Sequence, residues 1–148
     1  MGQKEMIEAL SRRPDWRSRM AAAIDIVKHR SFGWRDCDCV SGLAAPLVTA
    51  MTGVDLFAQH AGQYTDADSA YRLMQDLGFD DLADLVGSFL PEHEHISRAS
   101  MGDIAAIEVP TRFRHALGIV DGERIFVLSE TGFGTVDLLT AARAFKVG

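Results

Sequence analysis

An α+β domain, with helices first and an antiparallel sheet after them, is the fold class that the 148-residue sequence predicts. Apolar residues recur at helical spacing through the first half. After Gly102 the period shortens to that of strands. Asp121-Gly122, set between two apolar runs, is a strong hairpin signal.

Pro14 signals a helix start. From Asp15 onward, Trp16, Met20, Ala23/Ile24 and Val27 make an apolar stripe opposite Arg17, Arg19, Asp25 and Lys28, which predicts the first helix. His29 at its end suits the helix dipole. After the polar break His29-Arg30-Ser31 comes an aromatic-rich loop with Phe32 and Trp34. A second helix is predicted from near Asp38, with Asp38 as N-cap and Val40, Leu43, Ala44, Leu47, Val48 and Met51 facing inward. Pro46 should kink or shorten it, and Gly53 should end it. Thr65-Asp66-Ala67-Asp68 resembles a capping box and opens a third helix through Tyr71, Met74 and Leu77, ended by Gly78. Asp80 or Asp81 caps a fourth, through Leu82, Leu85, Val86 and Phe89, which Pro91 stops. Residues 92–100 read as a polar loop. Strands are predicted at Ile104–Val109, Arg114–Val120, Arg124–Leu128, Thr135–Asp137 and around Phe145–Val147, with a short helical piece, Leu139–Ala144, before the last.

Hydrophobic residues make up 47% and charged residues 24%, which excludes a disordered tail, a fibrous repeat and a disulfide scaffold. The length suits one domain over residues 1–148, with 1–14 as an N-terminal extension. No apolar run is long enough to span a bilayer, and the first residues lack the apolar core of a signal peptide, so no membrane is expected and the protein is expected to be cytoplasmic as synthesised. The formal net charge is −6, and the excess of acid lies beyond residue 35. Between Asp55 and Glu94 there are nine acids and a single base, Arg72. Such a chain repels phosphate, so nucleic acid is not an expected partner.

Two cysteines, Cys37 and Cys39, lie too close together to staple distant elements and read as reduced thiols. Cys39 stands in the first turn of the second helix, where backbone N–H groups favour a thiolate; the competing reading is a small buried apolar residue. Asp38 opposes thiolate formation by like charge. With Cys37 and Cys39, the pair His93 and His95 would supply two thiolates and two imidazoles for zinc. That spacing fits no zinc module, and a solvated loop is the preferred reading, so neither a metal nor another cofactor is expected. Trp34 and Tyr64 either line a groove for an extended peptide or pack between the first helices.

The ordered set Trp16, Phe32-x-Trp34, Asp38-Cys39-Val40, Thr52-Gly53-x-Asp55, Gly62-x-Tyr64, Gly102-Asp103-Ile104, Leu117-Gly118-Ile119 and Phe145-Lys146-Val147-Gly148 covers residues 16–148. In these pieces the chain resembles the NlpC-like cysteine hydrolases, and it looks closest to a phage-, prophage- and gene-transfer-agent-associated domain of unknown function in that superfamily. The resemblance implies a papain-like α+β fold and cleavage of a peptide or amide bond of peptidoglycan. It also implies tail-like proteins of a phage-like particle as partners. It places Cys39 as nucleophile and His115 as base, with Trp34, Asp38 and Tyr64 on the substrate side and backbone N–H groups near Cys39 for the oxyanion.

The family's His-x-Gly-Ile, matched on Gly118-Ile119, puts Ala116 where the histidine belongs. With Ala116, Gly118 and Val120 facing the helices, His115 would face away unless a bulge intervened. The next strand offers only Ile125, Phe126, Val127 and Leu128 before Ser129, so the orienting polar group is missing there. Two readings follow: a cysteine peptidase or amidase in which His115 reaches Cys39, and an inactive NlpC-like fold serving as a structural or adaptor component of a tail. A small metal-binding protein is a weaker third.

Overall fold

Helix α1, Trp16–Val27, buries Met20, Ile24 and Val27, the i, i+4, i+7 stripe of its sequence. The computed structural model in which it is seen describes residues 10–34, 38–60 and 62–148. Leu10, Arg12 and Arg13, assigned from sequence to an N-terminal extension, pack into the domain: Leu10 is buried, and the Arg13 N–H donates to the Met51 carbonyl.

The next helical segment opens as one π-helical turn, Cys39–Ala44, and continues as α2, Ala45–Thr52. Pro46 accounts for the change. It has no N–H to give Gly42, and its ring would press on the Gly42 carbonyl in a tight α turn, so the turn before it widens and the Ala45 N–H reaches back to Val40. Leu43, Leu47, Val48 and Met51 are fully buried along this segment. Gly53 ends it at φ +80°, a left-handed conformation that glycine adopts without strain. Helix α3 is Ala67–Asp76; its N-cap is Asp66 with Ser69 at the third position, one residue later than the Thr65 box predicted. Helix α4, Leu82–Gly87, is capped by Asp81, whose Oδ1 accepts the Ala83 N–H at 2.8 Å.

Five strands follow: β1 Ile104–Glu108, β2 His115–Asp121, β3 Arg124–Ser129, β4 Gly132–Asp137 and β5 Ala141–Phe145. All pairs are antiparallel in the order β4-β3-β2-β1-β5. The molecule is therefore α+β, with helices in the N-terminal half and the sheet at the C-terminus. The predicted helical piece Leu139–Ala144 is instead a single 3-10 turn, Leu138–Thr140, followed by β5. Pairing decides this. The outer edge of β1 takes Ala144 against Ala105 and Phe145 against Ile104, which satisfies backbone groups that a helix would leave open.

The sheet buries both faces. Ile104, Ala106, Leu117, Ile119 and Leu128 pack toward the helices, while Ala105, Val120 and Ile125 form a second cluster on the back. Ile96 and Ala99 cover part of that back face, so the 92–100 segment contributes packing as well as polar surface. Gly118 permits the close approach of β2 and β3: a Cβ there would lie 2.6 Å from the Phe126 carbonyl oxygen.

A buried carboxylate ties the ends of the chain together. Asp103, 1% exposed, accepts from Arg12 Nη2 at 3.0 Å, His93 Nε2 at 2.8 Å and the N–H groups of Ser100 and Val147. Arg12 also donates to the carbonyls of Val147 and Met101. His93 is thus a structural ligand of Asp103, and His95 caps the Ile96–Arg98 turn through Ser97.

Candidate active site

Trp34, Asp38, Cys39, Tyr64 and His115, the five residues singled out from sequence, all line one cavity of about 670 Å³. Cys37 lies outside the described residues. His93 and His95 do not line the cavity, and among the described residues no group of three or more His, Cys, Asp or Glu is placed to hold a metal. The two histidines of the zinc reading are committed elsewhere.

Asp38 is 2% exposed and sets the start of the Cys39 turn. Its Oδ1 accepts the N–H groups of Val40 at 2.7 Å and Ser41 at 2.9 Å, and its backbone N–H donates to Ser41 Oγ. Its Oδ2 accepts the Tyr64 hydroxyl. The carboxylate thus has both oxygens engaged, and Tyr64 fixes the loop between α2 and α3 against the turn. Burial and the Asp38 carboxylate push the Tyr64 hydroxyl far above its ordinary range, so it stays a donor. Two of the N–H groups expected to hold an oxyanion are therefore occupied by Asp38.

Burial, and then the negative charge of Asp38, push the Cys39 thiol up to about 12; hydrogen bonds from the Leu117 backbone and from its own amide offset this only in part. At neutral pH the resting side chain is a thiol, not the thiolate that a helix start alone would favour. The contact with Leu117 also locates Cys39 on β2, two residues beyond His115. Residues at that spacing share a face of the sheet, about 6.6 Å apart.

His115 faces the helices, which overturns the expected strand orientation. Leu117 and Ile119 pack in the helix-side core and Val120 in the back cluster, so odd-numbered positions of β2 point toward Cys39 and Ala116 and Gly118 point away. No bulge within β2 is needed: the β1–β2 register is unbroken from Ile104↔Ile119 to Glu108↔His115. The turn before it is tight. The Val109 N–H donates to the Arg114 carbonyl and the Arg114 N–H to the Thr111 carbonyl, with Arg114 left-handed at φ +67°.

The missing orienting group is Asp81, which sequence reading identified only as a helix cap. Its Oδ1 lies 2.7 Å from His115 Nδ1, and both side chains are largely buried. A carboxylate can only accept, so Nδ1 carries the hydrogen and Nε2 is left as the proton acceptor. The start of α4 is held in place by the Leu82 N–H, which donates to the Phe113 carbonyl in the turn leading to His115. The one available signal was an aspartate at an N-cap with a lone pair to spare. Phe113 in turn stacks on Trp34, ring centroids 5.5 Å apart, so Trp34 both packs and lines the cavity.

The cavity therefore brings together the Cys39 thiol and the His115 imidazole, whose tautomer Asp81 fixes from outside the lining. A thiol and an imidazole with a free ring nitrogen are the group types that acyl transfer with a histidine base uses. Among the described residues, no helix is long and apolar enough to cross a membrane. No curated protein matches the chain. Residues 11–147 match the family described as a domain of unknown function, DUF6950, and the chain belongs to that family.

Proposed function

We propose that the protein is a cysteine hydrolase of NlpC-like type, with a papain-like arrangement of helices on a sheet, that cleaves an amide bond through Cys39. The observation that carries this reading is that His115, held by Asp81 at 2.7 Å, lines the same cavity as Cys39. Cys39 Sγ attacks the carbonyl carbon while the thiol proton passes to His115 Nε2. His115 then protonates the leaving nitrogen as the C–N bond breaks. Water attacks the thioester, releases the acid and restores the thiol. Because the resting thiol is neutral, proton removal belongs to the attack itself, as with a serine nucleophile. The resemblance in sequence supplies the expected substrate, a peptidoglycan peptide, and the setting, a phage- or prophage-like tail.

A second reading has its own support: the strongly raised thiol, and the commitment of the Val40 and Ser41 amides to Asp38, suit an inactive fold that serves as a tail adaptor. Incubation of the purified protein with muropeptides, read by mass spectrometry, separates the two. Cleavage that is lost in Cys39→Ala and His115→Ala, with both variants folded, supports the hydrolase. A folded parent that cleaves no wall peptide leaves the adaptor.

A further inference from the structure

The lining of the cavity speaks to what it accepts. One side of its wall is aliphatic, with Ala70 and Leu73 from α3, Leu77 just past its end, and Leu82 and Leu85 from α4; aromatic rings and a few polar side chains line the rest. Leu77 is 37% exposed, an apolar side chain left at the surface where α3 borders this space. The charged residues that line it are Asp38, Asp55 and Glu130, all acidic, and Arg112, which is paired with Asp68. A peptide stem rich in carboxylates would meet repulsion here and leave its charges without partners. An uncharged chain would bury its methylenes at no such cost, and the volume lies within the range of small-molecule sites.

We propose that the cavity binds an uncharged aliphatic acyl group, with its carbonyl at Cys39 and its chain against the Leu73, Leu77 and Leu85 side of the wall. This rests on the hydrolase reading for the carbonyl end and departs from it on the substrate: the acyl half of the scissile bond is apolar, in place of a carboxylate-rich wall peptide. With an ester probe, the Cys39 sulfur forms the new bond to the acyl carbon as the C–O bond to p-nitrophenolate breaks. The thiol proton passes through His115 to solvent, and water then releases the fatty acid and restores the thiol.

Two measurements keep the inference and the hydrolase reading apart. The first is calorimetric titration of Cys39→Ala protein with octanamide, a neutral probe that needs no chemistry. The expected result is saturable binding with a negative heat-capacity change, weakened at least tenfold by Leu73→Gln or Leu77→Gln. The second is hydrolysis of p-nitrophenyl butyrate and hexanoate by the wild type. The expected kcat/KM rises about fourfold per methylene, which about 0.8 kcal/mol per buried CH₂ yields, or about fifteenfold between the two. Octanamide that does not bind, or that binds equally to the Gln variants, overturns the acyl site even if wall peptides are cleaved. Octanamide binding with turnover of neither the esters nor wall peptides leaves the acyl-group cavity standing and removes the hydrolase reading alone.

Discussion

Alkylation of Cys39 puts the electrostatics of the site to a direct test. Burial and Asp38 raise this thiol to about 12, against about 8.5 for a free one. At pH 7.5 its thiolate fraction is then about 3,000-fold smaller than that of a free thiol. A more basic thiolate is also a better nucleophile, and with a Brønsted slope of about 0.45 this recovers about 40-fold. Iodoacetamide should therefore label Cys39 about 80-fold more slowly than the same cysteine in denatured protein. The rate should climb about tenfold per pH unit up to pH 10 without levelling, followed on the Cys39 peptide by mass spectrometry. Asp38→Asn keeps the capping oxygen and removes the charge, so it should lower the midpoint and speed labelling. A plateau with a midpoint at or below about 8.5 would refute the reasoning and indicate a preformed thiolate–imidazolium pair.

The same thiol makes the fold sensitive to alkali. The unfolded chain releases this proton near 8.5 and the folded chain near 12, so stability is intact below about 8.5 and falls by about 2 kcal/mol by pH 10; Cys39→Ala should remove that part of the loss in urea titrations. Asp81→Asn should lower kcat by about 10²–10⁴ and distort its pH profile, while the denaturation midpoint moves little because asparagine caps as well as aspartate. Asp103→Ala leaves Arg12, His93 and the Val147 N–H without their partner and should cost about 3–5 kcal/mol in chemical denaturation. Arg114→Gly removes about 1–2 kcal/mol of left-handed strain against about 0.5–1 of added chain entropy, so a gain of about 0.5–1 kcal/mol is expected, and a loss would contradict the turn geometry.

Much of this was legible in the sequence, for identifiable reasons. The stripes Met20/Ile24/Val27 and Leu43/Leu47/Met51 are buried as their periods require, and Asp121-Gly122 turns β2 into β3. The facing of β2 was not legible. Both of its faces are apolar, so a period of two cannot say which one meets the helices; the larger Leu117 and Ile119 take the deeper core, and His115 goes with them. Asp81 was hidden because its partner lies 34 positions away and only the fold joins them. The Ala-rich run before Phe145 has good helix propensity, and the open edge of β1 overrides it. Several motifs behind the resemblance prove structural. Gly118 allows two strands to touch, Thr52-Gly53-x-Asp55 ends α2 and turns the chain, and Gly102-Asp103 meets Val147.

That last meeting has a kinetic consequence. The bond from Arg12 to Val147 spans 135 positions, and closing so long a loop in an unfolded chain costs about 4 kcal/mol of entropy. Asp103 cannot offset that until β1 and its neighbours have already brought the two ends together. The expected order is therefore that the clasp closes after the rate-limiting step of folding and opens among the first contacts. Weakening it should accelerate unfolding and leave the refolding rate nearly unchanged, so the contact acts as a latch on the lifetime of the native state and has little part in finding it.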